Sequence, residues 1–127
     1  MDRLKLKVYS VHTETMILSK EKRMNQANSV LKSSSDYPEH IIIGGDFNTV
    51  FLHNIRDIET LFNKHGFIRA SKSAGPTVDK GPIELTLDHI FAKGFQVVET
   101  GTLKTEASDH RPLWAILKPI LPEKSHP

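Results

Sequence analysis

Polar side chains that could do chemistry stand at the ends of the apolar stretches of this chain. Asp46 and Asn48 follow an isoleucine run at 41–43 and two glycines, in the sequence IIIGGDFN. If the backbone stays extended there, the alternation of side chains projects the carboxylate and the amide from one side of a strand end. Ligand crevices of layered α/β folds lie at such carboxyl ends of strands. An Asx turn, in which Asp46 and Asn48 cap their own backbone, explains the same residues without any function.

Three further polar groups stand near apolar strands: His12 in VYSVH, Asp88 in TLDHIF, and Asp109 with His110 in ASDHRPL. A histidine near a strand end is more often a surface or capping group than a catalyst. Asp109 and His110 could equally form a turn before Pro112. Asp88 is the most informative of the group, because a carboxylate inside an apolar strand is costly unless it has a partner.

Together these residues form a set suited to the hydrolysis of a phosphate ester. That reaction needs a metal held by carboxylates, a group that acts on water, and hydrogen-bond donors for the phosphate oxygens. Asp109 and Asp46 could ligate a divalent cation. His110 could act on water or phosphate, with Asp88 fixing its tautomer. Asn48 could donate a hydrogen bond to the phosphate or to the attacking water.

The elements that must position these side chains follow from hydrophobic periodicity. Helices are predicted over residues 19–32 and 54–64. Strands are predicted over residues 4–12, 41–43, 67–70, 84–92, 95–105 and 112–117. The loop 71–82, which contains Lys72 and Lys80, is the predicted substrate-recognition element. This order predicts an α/β (α+β) layered domain over residues 1–118, with one mainly antiparallel mixed sheet, helices on one face, and a frayed tail at 119–127.

Bulk composition narrows the classes of protein to consider. The chain has 127 residues, 38% hydrophobic and 25% charged, which suits one domain with a modest core. The absence of cysteine excludes a disulfide framework and a thiolate metal site. Apolar runs stay far below the roughly 20 residues of a membrane span, and the N-terminus lacks the apolar core of a signal peptide. The net charge of +2 neither requires nor excludes a polyanionic partner.

Three motifs, IIIGGDFN, TLDHIF and SDHRPLWA, resemble in sequence and order the C-terminal motifs of the DNase-I-like endonuclease/exonuclease/phosphatase superfamily. SVHTE resembles the histidine motif that precedes them, so the resemblance covers residues 8–117. It implies cleavage of phosphodiesters or phosphomonoesters, nucleic acid among them, with Mg²⁺ or Mn²⁺ as cofactor. It also implies a four-layer αββα sandwich. The active-site residues that carry over are His12, Asp46, Asn48, Asp88, Asp109 and His110.

The resemblance covers the C-terminal half of that domain. The N-terminal half of the family supplies an Asn and a metal-binding Glu, but only eleven residues precede His12, and Glu14 follows it. We therefore expect half of the sandwich, with His12 near the site but not bonded to a carboxylate of its own chain. An apolar sheet face would then need covering by a second copy or by an N-terminal half. More apolar side chains are present than one helical layer hides: Leu6, Val8, Ile41, Ile43, Leu85, Leu87, Trp114 and Ile116.

Three functional hypotheses follow. The first is a metal-dependent phosphoesterase that is incomplete as this chain. The second is a catalytically silent half-domain that acts as a binding or assembly module. The third is an unrelated α/β binding module whose polar motifs are turns. A hydrogen bond between Asp88 and His110 is expected under the first two hypotheses and not under the third.

Overall fold

The computed structural model describes residues 6–12, 20–34 and 40–121. This part of the chain folds into two helices and eight strands, in an order that mixes the two kinds of element. Neither helix is long and apolar enough to cross a membrane. The elements are β1 (Lys7–His12), α1 (Lys20–Ser34), β2 (Ile41–Asp46), α2 (Leu52–Lys64), β3 (Ile68–Arg69), β4 (Val78–Lys80), β5 (Ile83–Leu85), β6 (Asp88–Lys93), β7 (Phe95–Thr102) and β8 (Leu113–Pro119).

The main sheet has four strands in the order β1-β2-β6-β3. β1 is parallel to β2, whereas β6 is antiparallel to both β2 and β3. β4 with β5, and β7 with β8, form two further antiparallel pairs. The predicted α/β class with a mixed, mainly antiparallel arrangement is confirmed, and the isoleucine run forms the second strand of the main sheet.

Both helices cover one face of the main sheet. Ile41 and Ile43 of β2 are buried there with Leu31 of α1. Phe62 of α2 stacks on Phe91 of β6, with ring centroids 4.0 Å apart and planes 12° apart. Burial of such apolar side chains is the main favourable term in folding, so this face holds the core of the domain.

The opposite face of the sheet is only partly covered. The expectation that no layer lies on this face was wrong, because β7 and β8 pack Phe95, Val97 and Leu117 against Ile42, Ile90 and Ala92. The β1 side stays open, with Leu6 47% and Val8 64% exposed. Of the apolar side chains singled out in the sequence, Ile41, Ile43 and Leu87 are buried, Leu85 and Trp114 are half-buried, and Leu6, Val8 and Ile116 are exposed.

The stretch 71–82, predicted to be a loop, contains β4, which pairs with β5 in a hairpin. The predicted strand 84–92 is interrupted at 86–87, so that β5 and β6 belong to different sheets. At this break the Leu87 N–H donates to the Thr77 hydroxyl at 3.0 Å, and the Leu87 carbonyl accepts from the Phe47 N–H at 2.8 Å. Contacts from outside the strand therefore replace the ladder here, which local periodicity does not reveal.

Ordered structure continues beyond residue 118. β8 ends at Pro119, and the Ile120 N–H donates to the Gly94 carbonyl at 2.8 Å. The Ile120 carbonyl accepts a hydrogen bond from Nε2 of the buried His40 at 3.0 Å. Residues 122–127 of the predicted tail lie outside the described part of the chain.

Gly45 permits the close approach of β1 to β2. Its φ of 152° is one that side-chain-bearing residues rarely adopt, and a Cβ built there would lie 1.8 Å from the Val11 carbonyl oxygen. Gly44 is different, since the nearest atom to a Cβ built there lies 3.8 Å away, an ordinary contact. Substitution of Gly44 is therefore a suitable control for substitution of the adjacent Gly45.

We expect Gly45→Ala to lower the free energy of unfolding by about 2 kcal/mol or more, because the β1–β2 ladder must shift. Gly44→Ala should change it by no more than about 1 kcal/mol. Urea unfolding followed by circular dichroism measures both values. Equal effects of the two substitutions would contradict the close approach.

Candidate active site

Three polar side chains form a row across the main sheet. β1 and β2 end, and β6 begins, at the same edge, where His12 pairs in register with Asp46 and Asp46 pairs with Asp88. Directly paired residues of neighbouring strands project to the same face. Since Ile41 and Ile43 face the helices, alternation along β2 turns Asp46 to the opposite face, and the whole row lies there.

His110 reaches this row from the segment between β7 and β8. Its Nδ1 lies 2.8 Å from Oδ2 of Asp88. A carboxylate oxygen accepts, so Nδ1 carries the proton and Nε2 points towards Asp46, whose Oδ2 is 3.9 Å away. The predicted hydrogen bond between Asp88 and His110 is confirmed, which argues against motifs that are only turns.

His12 lies on the other side of Asp46. Its Nε2 is 3.8 Å from Asp46 Oδ2, which is longer than a hydrogen bond. The His12 side chain is 76% exposed and that of His110 43%, whereas the two carboxylates are only 18% and 19% exposed. Two imidazoles open to solvent thus flank one sheltered carboxylate oxygen.

Asp46, Asp88 and His110 form a group, here called the Asp-Asp-His cluster, that could hold a metal ion. Each offers a ligand atom, and these atoms lie within 4.8 Å of one another. Two carboxylates suit a hard divalent cation, which commonly takes one or two protein carboxylates and fills its other positions with water and phosphate. The donor set therefore fits a cation that is completed by substrate.

The backbone does not remain extended after Asp46. The Asn48 N–H donates to Oδ1 of Asp46 at 2.8 Å, and Asn48 has a φ of +50°. This is the Asx turn considered above, in a left-handed conformation that asparagine tolerates. One oxygen of Asp46 thus shapes the turn, while the other lies between the two histidines. The Asn48 side chain is buried beside the site, and its contact with substrate stays a prediction.

Among the described residues, the grouped metal-ligand atoms do not include the other residues expected at the site. Asp109 is exposed and is not among the grouped metal-ligand atoms of the described residues. Lys72 donates from Nζ to Oε2 of Glu59 on α2 at 3.0 Å. Lys80 is the last residue of β4, and Glu14 lies outside the described residues. Metal binding by Asp109 and substrate binding by Lys72 and Lys80 stay predictions.

A buried histidine is hydrogen-bonded to Thr49, the residue that follows the Asx turn. His89 is 1% exposed, and its Nε2 lies 2.7 Å from Oγ1 of Thr49. Thr49 donates its single hydroxyl proton to the Thr86 carbonyl at 2.7 Å, so it accepts from His89 Nε2–H. Burial, with the Arg69 guanidinium as a second cause, lowers the pKa of His89 from 6.5 to about 3. His89 is therefore a neutral structural group at neutral pH.

No role for His89 is predicted from the sequence. Nor is one predicted for Thr77, whose buried hydroxyl accepts from the backbone N–H groups of Leu87 and Asp88. A threonine in a Gly-Pro-rich stretch carries no local signal for such a role. Its partners lie ten and eleven residues away in sequence.

The fold and the cluster define a layered α/β protein of the DNase-I-like class. The family model described as Endonuclease/Exonuclease/phosphatase family matches residues 3–110. The chain belongs to this family.

Curated and solved proteins resemble the chain over part of their own length. The UPF0294 protein VV2535 of Vibrio vulnificus is 28% identical over 106 residues, which are 84% of this chain and 37% of that protein. The Bacteroides thetaiotaomicron mannosyl-6-phosphatase Bt3783 superposes with a TM-score of 0.67 at 22% identity, covering 87% of this chain and 50% of that one. D. rerio TDP2, complexed with a single-strand DNA product, superposes with a TM-score of 0.68 at 16% identity, covering 87% and 55%. The chain thus spans about half the length of these solved structures.

We expect acid to destabilise the protein through His89. The pKa of His89 is lower in the folded state than in the unfolded state, so the folded protein binds the proton less readily. The free energy of unfolding therefore does not vary with pH through this group above pH 6.5 and decreases as the pH falls towards 3. The loss should be about 1.4 kcal/mol per pH unit below 6.5, or about 2 kcal/mol at pH 5. His89→Gln keeps a donor for Thr49 without a titrating ring, and should show a flatter pH dependence in urea unfolding. Parallel curves for the two proteins would refute this assignment.

Proposed function

We propose that this chain carries the water-activating side of a metal-dependent phosphoesterase. The observation that carries the proposal is the hydrogen bond from His110 Nδ1 to Asp88, with Nε2 directed towards Asp46. A histidine oriented by a carboxylate at one nitrogen presents a lone pair at the other, which is the arrangement of a general base. Membership of the endonuclease/exonuclease/phosphatase family supports a phosphate ester as the substrate.

In the proposed reaction, His110 Nε2 takes a proton from water while the water oxygen attacks phosphorus. A new P–O bond forms in line with the bond to the leaving group, which breaks and departs with its electron pair. Asp88 stabilises the imidazolium that results. The Asn48 amide is proposed to donate to a phosphate oxygen, and His12 is proposed to do the same from the other side of Asp46.

We propose Mg²⁺, with Mn²⁺ as a substitute, held by the carboxylates of Asp46 and Asp88. Such an ion neutralises charge on the phosphate oxygens when it is bound. Asp109 is a further proposed ligand, because it adjoins His110 in sequence. The N-terminal half of the family domain would contribute the metal-binding Glu, for which this sequence has no match.

The proposed substrates are phosphodiesters and phosphomonoesters, nucleic acid included. A phosphatase and a protein complexed with a DNA product share the fold, which supports this range without choosing within it. The alternative is a silent half-domain that binds or assembles. The open β1 side of the sheet favours that alternative, because an exposed apolar surface marks contact sites.

An assay with bis(p-nitrophenyl) phosphate and p-nitrophenyl phosphate tests the proposal. We expect slow hydrolysis that needs Mg²⁺ or Mn²⁺ and stops with EDTA. His110→Ala should reduce the rate about 100-fold or more, since a positioned base contributes on that scale. His65→Ala is the matched control, because His65 is exposed at the end of α2, where its Nδ1 lies 3.0 Å from the Leu61 carbonyl oxygen one turn earlier in the same helix.

Hydrolysis that is equal in the two variants would place the activity elsewhere. If the folded chain hydrolyses neither ester at any metal concentration, the silent half-domain is the better account. Nuclear magnetic resonance spectra of the histidines, recorded with Mn²⁺ added, show independently whether the Asp-Asp-His cluster binds a cation.

We further propose that the open side of the sheet is covered by a second layer of polypeptide, here a second copy of the chain. A groove of about 560 Å³ runs along this face next to Asp88 and His110. Val8, Ile42 and Leu113 line it. Sheet-to-sheet packing about a two-fold axis would bury these side chains.

Sedimentation velocity tests the second copy. At micromolar concentration we expect a species of twice 14.3 kDa, and Val8→Glu should return it to the monomer by placing charge in the interface. Leu52→Glu is the control, because Leu52 is 76% exposed on α2, away from this face. A compact wild-type monomer would overturn the dimer and leave an N-terminal half as the covering layer.

A further inference from the structure

Thr77 joins the two segments that carry Asp88 and His110. Its hydroxyl oxygen accepts from the Leu87 N–H at 3.0 Å and from the Asp88 N–H at 3.1 Å. Its carbonyl accepts from the Arg111 N–H at 2.7 Å. One buried residue therefore touches the backbone of Asp88 and that of the residue after His110.

The hydrogen bonds to Thr77 are needed because the strand is interrupted just before Asp88. Asp88 is the first residue of β6, and residues 86–87 belong to no strand. At the end of a strand the ladder constrains the backbone from one side only, so another acceptor must fix the peptide that precedes Asp88. The Thr77 hydroxyl supplies it, and at 1% exposure it does so away from competing water.

The same short strand also positions the segment that carries His110. Val78 forms a β-bridge with His110, and the Asp79 N–H donates to the Asp109 carbonyl at 3.1 Å. The Arg111 guanidinium pairs with the Asp79 carboxylate. The backbone on the two sides of His110 thus pairs with Asp79, through Asp109, and with Thr77 itself, through Arg111.

We propose that Thr77 is a positioning residue for the Asp88–His110 pair. Its hydroxyl fixes the backbone of Asp88, and its carbonyl, together with Val78 and Asp79, fixes the segment of His110, so Thr77 contacts both segments that form the 2.8 Å side-chain bond. Thr77 is 1% exposed, so the role proposed for it is to position other groups rather than to contact substrate or metal. It acts by keeping the imidazole in the Nδ1–H tautomer, which leaves the Nε2 lone pair facing Asp46.

The test compares Thr77→Val, which keeps the shape and removes the acceptor, with Thr77→Ser, which restores the acceptor. Long-range ¹H–¹⁵N spectra report the tautomer of His110 when the ring is neutral. We expect the Nδ1–H tautomer in wild type and in Thr77→Ser, and a mixture with Nε2–H in Thr77→Val. Where hydrolysis is measurable, kcat should fall about 100-fold in Thr77→Val with little change in KM.

Ser71→Ala is the matched control. Ser71 is 4% exposed, and its hydroxyl accepts from the Ile90 N–H at 2.9 Å, two residues further along β6. The Ser71→Ala variant thus loses a side-chain acceptor for a backbone N–H of β6, as Thr77→Val does, but leaves the contacts to the segment of His110 in place. We expect Ser71→Ala to lower the unfolding midpoint while the His110 tautomer stays unchanged.

A wild-type tautomer in folded Thr77→Val would overturn the proposal and make Thr77 a structural residue only. If Thr77→Val does not fold, Thr77→Cys gives the same comparison, because a thiol is a weaker acceptor. The kcat measurement rests on the proposed function, whereas the measurement of the His110 tautomer does not. An unchanged tautomer refutes the positioning role, whereas absent hydrolysis with a shifted tautomer refutes only the phosphoesterase.

Discussion

The register between β1, β2 and β6 is the constraint on which the site depends. Because His12, Asp46 and Asp88 are direct partners across three strands, they meet at one edge and on one face. A slip of one residue in either pairing would send a carboxylate to the helix-covered core, where an ion is costly. Gly45 holds the register by letting the Val11 carbonyl approach to a distance that no side chain permits.

Asp46 combines two tasks that are usually separate. Its Oδ1 accepts the Asn48 N–H and ends the strand, while its Oδ2 lies between two imidazoles. The structural and the functional interpretations of the GDFN sequence are therefore compatible, because a carboxylate has two oxygens. On the core side of the turn, neutral His89 donates a hydrogen bond to the hydroxyl of Thr49, the residue after Asn48.

Much of the fold could be predicted because long amphipathic segments carry their own periodicity. The helices α1 and α2 belong to this group. The strand β2 is predicted from its run of isoleucines, and β6 from an alternation over 84–92 that also covers the break at 86–87. The hydrogen bond between Asp88 and His110 could also be predicted, since a carboxylate in an apolar strand requires a partner. The three-residue strands β4 and β5 are too short to show a period. The partnership of Lys72 with Glu59 and the role of Thr77 are long-range contacts that no local pattern encodes.

Because side chains alternate along each strand, the odd-numbered and even-numbered residues of three neighbouring strands lie on opposite faces of the main sheet. Across β1, β2 and β6, the odd-numbered positions, such as Tyr9, Ile43 and Phe91, pack under the helices. The even-numbered positions lie on the opposite face, where Asp46 and Asp88 form the site at the strand ends and Ile42, Ile90 and Ala92 pack against β7 and β8. Selection on the helix-covered core and selection on the site thus act on alternate residues of the same strands. Substitutions can accumulate in one set with little effect on the other, whereas a one-residue insertion or deletion within a strand exchanges the two sets at once.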